Sequence, residues 1–295
     1  MKKILLPLYA ILLLIQVSVN AAENPKFLIR CDDIGMSHSA NMAAVKMAKS
    51  GIPFSASVMV ATPWLQEASD ILQQYPHVAV GVHLTLTSEW EGMKWGPITG
   101  AVAAPSLVDS NGYFFAMTGQ FMRNNPSPRE VEAELRAQIE RAMTSGLKVD
   151  YLDYHMGAPM ASPPLRDVVE KLAKEYNVGL AQYFGEIYVR SSNGKPVERV
   201  DSLVAAVQRL EPDAVKASIF HIALDTPEMQ GLRDTNPNGA TDVAASRQAD
   251  LDALLSGEFK KAAVSKHIQF ITYKDLIRDV GIENMSRPDR YNYNN

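Results

Sequence analysis

A single cysteine, Cys31, in 295 residues excludes an internal disulfide framework and a cysteine-rich zinc site. No block of five like charges occurs, so no charged tail is indicated, and a net charge of −4 offers no basic face to a nucleic acid. Glycine and proline, 17 of each, are too few for a collagen-like or low-complexity chain, and 46% apolar residues exclude wholesale disorder. The glycine fingerprint of a dinucleotide site is absent after the first expected strand. What remains is a chain long enough to bury roughly 75% of the surface its unfolded form exposes, with no need of a metal or disulfide to hold its core. Cys31 itself ends an apolar run and is expected to be buried as a small hydrophobe.

The N-terminus reads as a targeting segment. Lys2 and Lys3 precede an apolar run from Ile4 to Val19, and the small residues Ala21 and Ala22 follow. This is the layout of a secretory signal peptide over residues 1–22. The run is shorter than the ~20 residues that span a bilayer, which disfavours the alternative of an uncleaved anchor. The processed protein is expected in the periplasm or outside the cell, with no stable membrane span.

Strands and helices then alternate. Strands are expected at Phe27–Cys31, Phe54–Val60, Val78–Leu86, Val149–His155, Gly179–Phe184, Ala214–Leu224 and Ile268–Tyr273. Helices are expected from Ser37 or Ser39 to Ala48, from Pro63 to Gln74, from Ser127 to Thr144, from Pro163 to Tyr176, from Val200 to Leu210, over Arg247–Leu255 and Gly257–Val264, and from Lys274 to Val280. Ser127 and Glu130 have the spacing of a capping box. Thr87 to Asn125 has the length of a functional loop or insertion, and Met285 to Asn295 reads as a loose polar tail. The order implies a parallel sheet with helical crossovers. An open doubly wound sheet and a barrel both fit. The preferred reading is an α/β fold, an irregular (β/α) barrel of about seven units over residues 26–280, with catalytic residues at the C-terminal strand ends.

The histidines and aspartates fall at those ends. Asp32 and Asp33 end the first strand, His83 lies late in the third, Asp153 and His155 end the fourth, and His221 lies late in a later one. One carboxylate and two imidazoles form a seat for a divalent ion. Adjacent aspartates on an extended backbone point apart, so one can bind while the other stays free as a base. The competing readings are a helix cap for Asp33 and core packing for His83; three strand-end coincidences together favour the ion. His38, His77 and His267 are read as surface or structural. Trp90, Trp95, Tyr154 and Tyr183 are candidates for stacking on a sugar or, equally, for packing.

At these residues the sequence resembles the YdjC-like carbohydrate deacetylases typified by chitooligosaccharide deacetylase. The family's A-D-D-F-G motif is similar to Cys31-Asp32-Asp33-Ile34-Gly35, its T-S-A-S strand to Phe54–Met59, its G-L-H-L-T-L to Gly81–Leu86, and part of its D-S-H-x-H to Asp153-Tyr154-His155. The resemblance extends over about residues 26 to 280. It implies a barrel-like fold, one divalent ion (zinc or magnesium) and removal of acetyl groups from N-acetylated saccharides. By position it assigns Asp33, His83 and His155 to the ion, Asp32 to the general base and His221, as a cation, to the acid. Asp153 would orient a ligand histidine. Two departures stand out: Gly157 replaces the motif's second histidine, and Ile222-Ala223 replace a Pro-Gly after His221. A glycoside hydrolase, a metal-dependent phosphodiesterase and a non-catalytic sugar-binding protein are the competing functions. The sequence sets neither the sugar nor the oligomeric state.

Overall fold

The computed structural model describes residues 23–191, 195–237, 239 and 241–288. The expected signal peptide and residues 289–295 of the expected tail lie outside the described residues. In chain order the elements are β1 (Lys26–Ile34), α1 (His38–Lys49), β2 (Ser55–Val58), α2 (Leu65–Leu72), β3 (Ala79–Leu84), β4 (Trp90–Glu91), α3 (Thr118–Arg123), α4 (Pro128–Thr144), β5 (Tyr151–Tyr154), α5 (Pro163–Glu175), β6 (Gly179–Leu180), β7 (Ile187–Tyr188), α6 (Arg199–Gln208), β8 (Lys216–Phe220), α7 (Pro227–Gln230), β9 (Arg233–Asp234), α8 (Val243–Leu255), α9 (Gly257–Ser265), β10 (Gln269–Ile271) and α10 (Tyr273–Val280).

Eight strands form one parallel sheet in the order β6-β5-β3-β2-β1-β8-β7, with β10 beside the first residues of β1. The two-residue strands β4 and β9 form a separate antiparallel pair. The large sheet curls strongly. The guanidinium of Arg30 on β1 touches Asp153 on β5 and Tyr188 on β7 at once. Those two strands are five positions apart in the sheet order, which on a flat sheet at about 4.8 Å per strand is far beyond one side chain's reach. Among the described residues β6 and β7 do not pair, so the barrel is irregular and incompletely closed.

Both faces of the sheet are buried, and they differ in chemistry. The outer face (Ala56, Val58, Val80, Val82, Leu152) joins the apolar core that packs under the helices. The inner face carries Arg30 and Asp32, Ser55 and Ser57, His83, Tyr151 and Asp153, all buried. Alternation along each strand sorts the two sets. One end of the interior is filled by Leu28, Ala79, Tyr151, Ala217 and Tyr273, with the Tyr151 and Tyr273 rings stacked at 4.2 Å. Polar groups therefore concentrate toward the C-terminal ends of the strands.

Several local expectations are corrected. Strand β6 is two residues long, because Gln182 takes a positive φ of 73° and Tyr183 turns back to Leu180. The capping box does not form: Ser127 makes no side-chain cap, and Glu130 accepts instead from the backbone N–H and hydroxyl of Ser106, pinning the long loop to α4. The start of the expected tail is docked, with Met285 sulfur accepting from the Leu180 N–H and Arg287 paired with Glu170 and Asp167. Elsewhere Ser37 caps α1 by accepting from Ala40 N–H, and Cys31 is buried and free. No helix of the described residues is long and apolar enough to cross a membrane.

Gly81 on β3 faces the Tyr151 ring so closely that an added Cβ would lie 2.4 Å from its Cζ. Gly81→Ala is expected to destabilise the fold by about 1–3 kcal/mol through overpacking, read by chemical denaturation. An unchanged midpoint would show that the ring yields freely.

Candidate metal centre

Asp33 reaches the mouth of the barrel through a break in the strand ladder. Cys31 pairs with Ala56 and Ile34 with Val58, so β1 uses one residue more than β2 over the Asp32–Asp33 step. Such a bulge re-aims a side chain. Asp33 takes a φ of 63°, a left-handed conformation that aspartate tolerates better than bulkier residues but that still costs on the order of 1–3 kcal/mol. His83 comes from β3. Its cross-strand partner Asp153 on β5 accepts from Nδ1 at 2.9 Å, which leaves Nε2 for the site. His155 opens the 3-10 turn after β5, in which Met156 and Gly157 have positive φ. The small, permissive Gly157 thus stands in the turn that sets His155.

The three side chains converge. Asp33 Oδ1 lies 3.4 Å from His83 Nε2 and 3.4 Å from His155 Nδ1, and the two nitrogens are 3.3 Å apart. Asp33 Oδ1 is buried and has no hydrogen-bond partner. An orphaned carboxylate oxygen facing two imidazole nitrogens is the donor set of a cation, and the residues fit one divalent ion.

Ion pairs extend from this triangle. Asp33 Oδ2 accepts from Arg247 Nη2 at 2.6 Å, and His155 Nε2 meets Glu89 Oε2 at 2.9 Å. Asp153 Oδ2 accepts from Ser57 Oγ at 2.6 Å and meets Arg30 Nε at 3.1 Å. Arg30 also donates to both oxygens of Asp32, at 2.7 Å each. The connected cluster holds four buried carboxylates (Asp32, Asp33, Asp153, Glu89) and two buried guanidiniums (Arg30, Arg247). With neutral imidazoles it carries two uncompensated negative charges.

The protonation of the ion-free chain follows from that deficit. Burial alone would lower the His83 pKa, but Asp153 and Asp32 outweigh it and raise it to about 9. Burial works against His155 too, and Glu89 and Asp33 raise it to about 10. Burial would raise the Asp33 carboxyl; Arg247 and the two imidazoles instead hold it well below the usual range. Two protons therefore fill the place of two missing positive charges.

His221, at the end of β8, lines the same cleft of about 560 Å³ with Asp33, His83 and His155. Burial lowers its pKa, which favours the neutral imidazole before reaction. Its backbone N–H donates to Asp250 Oδ2, and Asp250 is paired with Arg199. Asp32 does not line the cleft. It is fully buried and alternation puts it on the face of Arg30, whose fork donates one bond to each of its oxygens. One of its oxygens still lies within 4.8 Å of a His83 nitrogen.

Of the aromatic candidates, Trp95 is buried and donates to the Thr87 carbonyl, and Tyr183 bonds to Glu170 away from the cleft, so both pack. Trp90 lines the cleft. His38 pairs with Glu67 on the surface. Sequence reasoning missed Glu89, Arg247 and Arg30. The signal available for Arg30 was its two-residue spacing from Asp32 within an apolar strand.

The protein family described as YdjC-like matches residues 26–264. A carbohydrate deacetylase of Brevibacillus brevis is 28% identical over 85% of this chain and 99% of that protein. One of Enterococcus faecalis is 31% identical over 72% of this chain and 75% of its own length. One of Oceanobacillus iheyensis is 36% identical over 51% and 61%. A crystal structure from Enterococcus faecalis, whose assignment to cellobiose-phosphate cleavage is provisional, superposes with a TM-score of 0.69 at 25% identity, covering 86% of this chain and 99% of that one.

Ion binding to the chelated protein should release close to two protons at pH 7 and tighten as pH rises toward 9. Calorimetry in buffers of different ionisation enthalpy reads the proton count; no release would contradict the charge balance. Both imidazoles bind protons more tightly folded than at the unfolded value near 6.5. In the ion-free chain that stabilisation is full below about 6.5 and is lost as pH rises through about 9 to 10. Thermal unfolding of the chelated protein should show the loss, and a bound divalent ion should remove it.

Proposed function

Because this chain belongs to the YdjC-like family, we propose that it is a carbohydrate deacetylase that hydrolyses the acetamido group of an N-acetylated saccharide with the aid of one divalent ion. The observation that carries the reading is the buried triangle of Asp33 Oδ1, His83 Nε2 and His155 Nδ1 beside a cleft large enough for a sugar unit. Two imidazole nitrogens and one carboxylate oxygen are a donor set that zinc accepts, whereas magnesium favours oxygen ligands and keeps several waters. Zinc is therefore the proposed ion.

When bound, such an ion polarises an amide carbonyl and makes water acidic. The rest of the chemistry belongs to the chain. Asp153 fixes the tautomer and orientation of His83, and Glu89 does so for His155. Arg247 holds Asp33 Oδ2 and so turns Oδ1 toward the imidazoles. Asp32 is the proposed general base. Its carboxylate keeps a free lone pair on each oxygen beside the Arg30 fork and lies next to His83. His221 is proposed to protonate the leaving amine. As it rests neutral, its proton must first come from the attacking water, so the two groups handle one proton in turn. A glycosidase reading is weaker: its acid must be a protonated carboxyl, whereas Arg247 and the two imidazoles hold Asp33 well below the usual carboxylate range.

Acetate release from a panel of N-acetylated oligosaccharides and peptidoglycan fragments, with and without chelator, tests the proposal. Chelation, Asp33→Ala and His83→Ala should each remove activity by at least ~10³-fold without unfolding the chain; retained activity would falsify the ion assignment. Asp32→Asn should lower kcat by about 10²–10⁴-fold at unchanged ion content. If it does not, while His221→Ala does, His221 alone carries the proton. Glycosidic cleavage without acetate would favour the glycosidase. The proposal also places the protein in the periplasm or outside the cell, and the exported form should begin at Glu23; an intact Met1 would point to an anchor.

A further inference from the structure

The cleft lining contains two residues with hydrogen-bond donors that the ion cluster does not use. Arg247 spends Nη2 on Asp33, but its Nη1 is buried and has no acceptor. Trp90 Nε1 is likewise buried without an acceptor. Both residues line the cleft, both are more than nine-tenths buried, and they stack on each other, with the Arg247 guanidinium carbon 5.4 Å from the Trp90 ring centroid. Nearly all buried donors in folded proteins are paired, and one left alone is destabilising. Two such donors on adjoining side chains form a wall that lacks an oxygen acceptor.

The chain invests structure in holding them there. Trp90 lies in β4, whose pairing with β9 sets Trp90 opposite Asp234. The Glu89 carbonyl beside it accepts from the Thr235 N–H at 3.0 Å. Arg247 is fixed from the other side by its bond to Asp33. Glu89, Asp234 and Asp250 in the same cleft disfavour a multiply charged anion, so the acceptor carries at most one negative charge. A small oxygen acceptor next to Asp33 fits better.

We infer that Trp90 Nε1 and Arg247 Nη1 form the subsite for the oxygen of the substrate's acetyl group, and hold the same group as acetate after cleavage. The inference rests on the deacetylase reading for the identity of the group, but the subsite itself can be read without turnover. Trp90 and Arg247 are thus substrate-contacting residues, and Arg247 joins the subsite to the ion cluster through one guanidinium.

Trp90→Phe tests this most cleanly, because it removes the indole N–H and keeps a ring under Arg247. Sodium acetate is titrated by calorimetry into the full, zinc-loaded wild-type chain and into the variant, with zinc content measured for both. Acetate should bind the wild type, and the variant should bind it about 5- to 30-fold more weakly at equal zinc content. Equal acetate affinity in the two proteins overturns the inference, and so does a wild type that binds no acetate. A parallel assay of acetate release separates the two claims. Acetate binding that depends on Trp90 in a wild type releasing no acetate keeps the subsite and removes the deacetylase reading. Release with Trp90-independent binding does the reverse. Where the deacetylase reading holds, the same variant should lower kcat by about 10²–10³-fold, as the loss of one oxyanion donor does.

Discussion

Four carboxylates and two guanidiniums buried in one connected cluster leave two negative charges that the fold must answer. Charges removed from water are tolerated only when paired and hydrogen-bonded. In the ion-free chain the answer is a proton on each imidazole. With a divalent ion in place it is the ion. The two solutions carry the same charge and use the same atoms, so proton and ion are exclusive occupants of one position. Much of the interior follows from this requirement. Arg30 must enter the barrel to serve Asp32 and Asp153, and Ser57 must sit on the inner face to complete Asp153. The barrel must also curl enough for β5 and β7 to meet one guanidinium.

The geometry at the mouth comes from a different constraint. A regular strand would point Asp32 and Asp33 to opposite faces, and only one could join the histidines. The bulge between Cys31 and Ile34 and the left-handed backbone at Asp33 turn the second aspartate into the mouth while the first stays inside with Arg30. Backbone strain is thus located at the residue with the unpaired oxygen. The long segment after β3 adds the outer parts. The buried Gln138 of α4 bonds both backbone groups of Thr85, and buried Glu134 accepts from Ile98 and Thr99, so the helix carries the loop that brings in Glu89 and Trp90.

How much of this was legible in the sequence depended on range. The order of strands and helices, the parallel sheet and the grouping of Asp33, His83 and His155 follow from apolar runs and from residues placed at strand ends. These are local signals joined by one topological rule. Pairings set by tertiary contact were hidden. Glu130 has the spacing of a cap, yet Ser106, remote in the chain, offers it a better pair of donors. Arg247 and Glu89 lie in segments whose local patterns say nothing of Asp33 or His155. The role of Asp32 was argued from its neighbour, whereas its surroundings are set by Arg30 two residues earlier.

The account depends most on one ion sitting between three named atoms. Anomalous diffraction from crystals of the zinc-loaded protein addresses this directly. A single strong peak about 2.0–2.1 Å from Asp33 Oδ1, His83 Nε2 and His155 Nδ1 is the expected result. A fully loaded, folded protein whose peak lies elsewhere, or touches only one of the three, would contradict it.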